Sequence, residues 1–247
     1  MISVVMAGVS GKTGRAVGQA LYAAHDIELV GAIARQHAGK SLGAIWGNDA
    51  TVRVVDSIDA IDVEGQVVLV DFTEAESAYG RILMAIRRSW DVVVGTTGFS
   101  VDQKRTLFYE AERHQVGAVF ITNFSLGAWL QERLAEESAR FFSDVEIIEG
   151  HNIAKRDRPS GTAKQMQKAL GHVLHRDPED IPLHSVRLPG MVAHQDVVLG
   201  GPGEILTLRH DVHDRGAYAA GVLTAVRKVG SMRGQVITDF GQMVDPS

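Results

Sequence analysis

The sequence predicts an α/β protein: an N-terminal, Rossmann-like doubly wound parallel sheet, then a second α+β domain with a mixed or antiparallel sheet. Three observations predict it. Short β-branched runs alternate with helix-length amphipathic segments through residues 1–122. A glycine-rich turn stands between the first run and the first helical segment. After about Asn123 the alternation gives way to a long helix and then to extended runs joined by a tight turn.

The elements follow in order. Residues 2–7 read as a buried strand and residues 12–24 as a helix, with Ala16, Val17, Ala20 and Leu21 on one face. Residues 28–34, 67–72, 91–95 and 118–122 read as further strands, separated by helices over 75–88 and 101–114. Right-handed crossovers between such strands give a parallel sheet covered on both faces. In the second part, a helix over 128–142 precedes a strand over 144–150. A helix over 163–174 keeps Met166, Ala169, Leu170, Val173 and Leu174 at helical spacing. Extended runs at 185–188, 191–199 and 204–211 follow, the last two joined through Gly200-Gly201-Pro202-Gly203 as a hairpin. A helix over 218–229 closes the pattern. The expected domains are 1–122, with a tail of about 222–247 returning to it, and 123–221.

Composition narrows the chemistry. A chain of 247 residues can build two domains with real cores. The formal net charge of −5 argues against a broad nucleic-acid surface. The absence of cysteine excludes disulfides, zinc–thiolate sites, iron–sulfur clusters and thiol nucleophiles. It also fits a reducing cytoplasm. The apolar start MISVVMAGV has no basic region before it and reads as a strand, not a signal peptide. No apolar run reaches the ~20 residues of a membrane span. No metal site is expected.

Gly8-Val9-Ser10-Gly11-Lys12-Thr13-Gly14 is a G-x-x-G-x-x-G variant of the dinucleotide fingerprint. Its glycines allow close approach to a pyrophosphate, and the helix N-terminus behind them offers N–H groups and a positive dipole end. The string SGKT looks like a P-loop, but Met6 stands where that motif needs glycine. The plainer reading is a turn that uses glycine for geometry alone. The second strand ends in Ala34-Arg35-Gln36-His37 with no acid for a ribose hydroxyl. Arg35 can pair with a 2′-phosphate, so NADPH is expected over NADH; otherwise Arg35 is a solvated surface charge. Phe72, Thr73, Gly95 and Thr97 end two later strands, where ligands of such sheets sit. Ordinary loop chemistry is the alternative for either segment.

The densest polar segment is EGHNIAKRDRPSGTA, residues 149–163. Ser160, Gly161 and Thr162 open a helix and form a candidate anion site. Lys155 adds a positive charge, and His151 can move a proton near neutral pH. The bland alternative is a serine N-cap beside solvated charges. A short-chain dehydrogenase is disfavoured, because Tyr22, Tyr79, Tyr109 and Tyr218 are followed four residues later by Asp26, Leu83, Arg113 and Val222, never by lysine.

These segments together resemble the dihydrodipicolinate reductase family, whose catalytic turn reads E-x-H-H-x-x-K-x-D-x-P-S-G-T-A. DFT at 71–73, GTTGF at 95–99, NFSLG at 123–127, Ser185, Arg187, His194 and GEILTLRHDVHDR at 203–215 extend the match over nearly the whole chain. The resemblance implies pyridine-nucleotide-dependent reduction of a cyclic imine dicarboxylate in lysine and diaminopimelate biosynthesis. It implies His151 as acid, with Lys155 contacting substrate and discussed as a second donor. Thr97, Asn152, Ser160, Gly161 and Thr162 fall at substrate positions, and Asn123 and Phe124 among cofactor-binding ones. It also implies a cytoplasmic homotetramer assembled through the second domain's sheet. Three departures stand out: Asn152 replaces the second histidine, Arg158 replaces alanine before the proline, and the stretch between Leu174 and Ser185 is short. A paralogous reductase of another anionic imine, or a dinucleotide-binding sensor without catalysis, are the alternatives.

Overall fold

Apolar β-branched runs bounded by glycine and polar turns form the strands of the first unit. The computed structural model describes residues 1–245; the last two residues of the expected 222–247 tail lie outside that range. Two units divide the chain: one holds Met1–Phe124 and the segment from Tyr218 onward, the other Ser125–Ala217.

In the first unit the strands are β1 (Ile2–Ala7), β2 (Ile27–Ile33), β3 (Val54–Val55), β4 (Val67–Asp71), β5 (Asp91–Val94) and β6 (Ala118–Phe120). A late strand, Val236–Ile237, joins the same sheet beside β6. The sheet is parallel throughout, with spatial order late strand, β6, β5, β4, β1, β2, β3. The order reverses at β1, so the crevice beyond the carboxyl ends of β1 and β4 is the topological switch point, where ligands of such sheets bind. Helices α1 (Lys12–Ala23), α2 (Leu42–Trp46), α3 (Ala75–Arg87) and α4 (Val101–Arg113) alternate with the strands. Strands β4 and β5 are buried along their whole length, as a sheet covered on both faces requires. Ile82, Ala85 and Ile86 of α3 and Leu107 and Ala111 of α4 pack with Leu69, Val92 and Val94 in one core.

The second unit contains α5 (Leu126–Ala139), β7 (Asp144–His151), α6 (Gly161–Leu174), β8 (Leu183–Arg187), β9 (Ala193–Gly201) and β10 (Glu204–Val212). The sheet order is β10, β9, β7, β8; only the β7–β8 pair is parallel. The β9–β10 hairpin turns through Pro202-Gly203, and Gly203 takes φ +83° there. Val145, Ile147, Val197 and Leu199 join Ala135 and Ala139 of α5 and Met166 and Leu170 of α6 in the core. Burying each of the larger side chains contributes roughly 1.5–3 kcal/mol. Alternation along β7 puts residues 145, 147 and 149 on the buried face, so Glu149 is a fully buried carboxylate in an otherwise apolar row.

After α7 (Ala219–Val229) the chain forms β11, the Val236–Ile237 strand, and α8 (Gly241–Val244). Most expected element ends shift by one to three residues. The expected strands at 118–122 and 191–199 become Ala118–Phe120 and Ala193–Gly201, and the expected helix over 128–142 becomes Leu126–Ala139. Ser125 starts that helix early, because its hydroxyl accepts from the Ala128 N–H. Elements α2, β3, β11 and α8 were not expected: each spans five residues or fewer, too short for a period to register.

Candidate active site

The glycine turn occupies the carboxyl end of β1. Gly8 has φ +92°, and a Cβ there would stand 2.4 Å from the Phe72 carbonyl oxygen. A Cβ on Gly14 would stand 2.1 Å from the Gly8 carbonyl oxygen. The turn therefore cannot close with side chains at these positions. The Gly11 N–H donates to the Gly8 carbonyl at 3.0 Å, and helix α1 starts at Lys12 with no side-chain cap and no acid in its first turn. Its first N–H groups and dipole suit an anion. Ser10, Gly11 and Lys12 are exposed, Thr13 is half-buried and Gly14 is buried. Arg35 is exposed, the first residue of a single 3-10 turn directly after β2.

A buried network joins the ends of β4 and β5. The Asp71 carboxylate is fully buried and accepts from Thr73 Oγ1 and Thr96 Oγ1, both at 2.7 Å, and from the Thr73 N–H at 3.0 Å. Arg81 of α3 donates through Nε to Asp71 and through Nη2 to Thr73 Oγ1, each at 2.7 Å. Thr96 Oγ1 also accepts from the Thr73 N–H at 2.8 Å. The Thr73 hydroxyl donates to Asp71 and accepts from Arg81, so its side chain braces the turn. Thr97 is exposed beyond the buried Thr96, beside Gly95. Phe72 packs on Phe124 with ring centres 5.8 Å apart, and Asn123 lies next to it in sequence in the same unit.

In the second unit β7 delivers His151 at its end. Its Nδ1 lies 2.5 Å from Glu149 Oε2. Burial depresses the His151 pKa below the ordinary histidine value. Glu149 pulls it up, Lys155 and Arg187 push it down, and the net direction is down. Burial pushes Glu149 up, but hydrogen bonds led by those of Arg187 outweigh it and hold this carboxyl below the usual range. Lys155 Nζ pairs with Asp157 Oδ2 at 2.8 Å.

Two of the expected site residues also make local contacts. Ser160 was expected to present its hydroxyl and N–H to an anion. It is buried, its Oγ accepts from the Ala163 N–H at 3.2 Å, and its own N–H donates to Glu149 Oε1 at 3.3 Å. The Oγ contact is that of an N-cap, which starts α6 two residues earlier than periodicity indicates. Asn152 Oδ1 accepts from the Ala154 N–H at 3.0 Å and closes a local turn, a contact that does not use the amide N–H donors a carboxylate would need. Gly161 is exposed and Thr162 half-buried in the first turn of α6. The second unit thus gathers His151, Asn152, Lys155, Ser160, Gly161 and Thr162. The other expected site residues all belong to the first unit. Glu149, Arg187, Asp71, Thr96 and Arg81 were missed as site residues. For Glu149, Asp71 and Arg187 the available signal was a charged residue at a core-facing strand position, where burial requires a partner; Thr96 and Arg81 left no such signal.

A parallel sheet with this glycine turn at its switch point, on a chain that also carries a histidine–lysine cluster, defines a nucleotide-dependent oxidoreductase. Comparison with known proteins narrows the class. Residues 2–124 match the model "Dihydrodipicolinate reductase, N-terminus" and residues 127–243 match "Dihydrodipicolinate reductase, C-terminus". The 4-hydroxy-tetrahydrodipicolinate reductase of Synechococcus elongatus is 41% identical over 95% of this chain and 96% of its own. That of Moorella thermoacetica is 38% identical over 95% of each. A dipicolinate-bound dihydrodipicolinate reductase from Paenisporosarcina sp. TG-14 superposes with TM-score 0.83 at 29% identity, covering 99% of this chain and all of that one. The chain belongs to the dihydrodipicolinate reductase family.

Proposed function

We infer that the chain reduces 4-hydroxy-tetrahydrodipicolinate to tetrahydrodipicolinate with NAD(P)H, on the route to diaminopimelate and lysine. A hydride and a proton are added and water leaves. The observation that carries this reading is the His151–Lys155 cluster beside a helix start, on a chain whose glycine turn fits a pyrophosphate. Gly8 to Gly14 would hold the pyrophosphate, since glycine lets this turn close tightly and the uncapped start of α1 behind it presents N–H groups and a positive dipole end. Phe72, Thr73, Gly95, Thr97, Asn123 and Phe124 would line the rest of the nucleotide site. The bound nicotinamide supplies hydride. His151 donates the proton to the neighbouring carbon. Lys155, released from Asp157, would take a substrate carboxylate, and the Ser160, Gly161 and Thr162 turn would take the other. Asn152 would hydrogen-bond a substrate carboxylate through its amide N–H groups while its Oδ1 shapes the turn.

Arg35, exposed at the end of β2 where no acid stands, favours NADPH over NADH. The second unit's sheet would assemble a homotetramer, and the cysteine-free chain suits the cytoplasm. Among the described residues no helix is long and apolar enough to cross a membrane. The test is nucleotide oxidation with imine made in situ from pyruvate and aspartate semialdehyde by the preceding synthase, NADPH and NADH in parallel. Rapid oxidation with a lower KM for NADPH is expected. No oxidation despite intact nucleotide binding would favour a changed substrate or a sensor, and a KM for NADH at or below that for NADPH would remove the role of Arg35.

A further inference from the structure

One buried ion pair meets His151 and the Ser160 backbone directly and reaches Lys155 through Asp157. Arg187, at the end of β8, stands in register with His151 of β7. Its Nη1 donates to Glu149 Oε2 at 2.9 Å and its Nη2 to Oε1 at 2.7 Å. Both side chains are out of water, with relative exposures of 1% and 0%. Glu149 meets His151 through Oε2 and the Ser160 N–H through Oε1. Arg187 Nη2 also donates to the carbonyl oxygen of Asp157, the partner of Lys155, at 2.8 Å. A pair that served stability alone would be replaceable by apolar packing. Beyond its own two hydrogen bonds and one to the Val186 carbonyl, this one directs three contacts to the segment from His151 to Ser160: the His151 ring, the Asp157 carbonyl and the Ser160 N–H.

We propose that Glu149 and Arg187 are positioning residues of the reaction: together they fix His151 with its Nδ1 proton on Glu149 and Nε2 turned outward, and they hold the Asp157 and Ser160 backbone that places Lys155 and the α6 turn. The inference rests on the reading of His151 as proton donor. A carboxylate behind an imidazole selects its tautomer and stabilises the imidazolium. The charged groups facing His151 are Glu149 on its own strand, Arg187 from β8 and Lys155 from the following turn, with Asp157 acting through Lys155. Only Glu149 favours the charged ring directly.

Nitrogen-15 NMR of the full-length protein labelled at histidine, with His151→Gln to assign the signal, reads the tautomer without altering the pair. A neutral His151 protonated at Nδ1 is expected; protonation at Nε2 overturns the proposal, whether or not any variant at the pair folds. Glu149→Gln is expected to lower kcat about 10–100-fold, raise the KM for the imine and leave the KM for NADPH within about twofold. Because an acid works only below its pKa, loss of Glu149 moves the descending alkaline limb of kcat to lower pH. Arg187→Lys is expected to keep more activity than Arg187→Met. If His151→Gln loses kcat while Glu149→Gln keeps both kcat and the limb, the positioning proposal falls and the acid reading stands. If His151→Gln keeps kcat, both fall.

Discussion

His151 shows how one side chain is tuned by what surrounds it. Burial holds its pKa below the ordinary histidine value in the free protein, so at neutral pH most rings are uncharged, the wrong state for an acid. A bound dianionic substrate reverses the balance, because nearby negative charge favours imidazolium. The sign of the pH dependence follows. An acid loses activity as pH rises through its pKa, kcat/KM reports the free enzyme and kcat the complex. The alkaline limb of kcat is therefore expected at higher pH than that of kcat/KM. His151→Gln is expected to cost about 10²–10⁴-fold in kcat with little change in KM, and Lys155→Ala to damage both. Superimposable limbs in the two profiles would show that substrate charge does not act on this ring. Asn152 marks the limit of reading residues singly: its amide is legible as a hydrogen-bonding group, but only the backbone path shows that Ala154 takes its oxygen.

The strand ends that would form the proposed nucleotide site are held by polar contacts that periodicity does not reveal. Asp71 is buried with Arg81 at 2.7 Å, and Thr73 and Thr96 complete its shell. Removing one partner of such a pair leaves a buried charge and costs about 3–5 kcal/mol. Arg81→Met is thus expected to lower stability by that order in denaturant titration and to raise the KM for NADPH, because the Thr73 and Gly95–Thr97 turns lose their brace. Unchanged stability would mean that water or another cation takes over from Arg81. The strands β1, β4 and β5 and helices α1, α3 and α4 were legible because valine-rich apolar runs of three or more residues, or three turns of amphipathic spacing, stand out in the sequence. The glycine turn was legible because only glycine fits its backbone. Arg81 and Arg187 were not, because each finds its partner ten or more residues away in sequence, through strand register and helix packing. Glu149 was visible within its motif, yet its burial emerges only once β7 is paired on both sides.

At the scale of the whole molecule, the division into two units makes ligand binding separable along the chain. The proposed pyrophosphate turn and strand ends belong to the first unit, and the histidine–lysine cluster to the second. A ligand that binds only the folded state stabilises it by RT ln(1 + [L]/Kd), about 2.7 kcal/mol at a hundredfold excess over Kd. For a chain of this length each kcal/mol moves Tm by roughly 2–4 °C, so saturating NADPH is expected to raise Tm by about 5–11 °C. Hydrogen exchange then locates the gain. With NADPH alone, protection is expected to rise at residues 8–15, 72–75 and 95–99, whose backbone forms the glycine turn and the ends of β4 and β5. With dipicolinate, a dicarboxylate that carries no hydride, protection is expected to rise at 151–163, where the chain has its loop charges and the first turn of α6. Protection of 151–163 by NADPH in the absence of dicarboxylate, with none at 8–15, would reverse the assignment of the two units, because the phosphate-binding turn would then lie in the second.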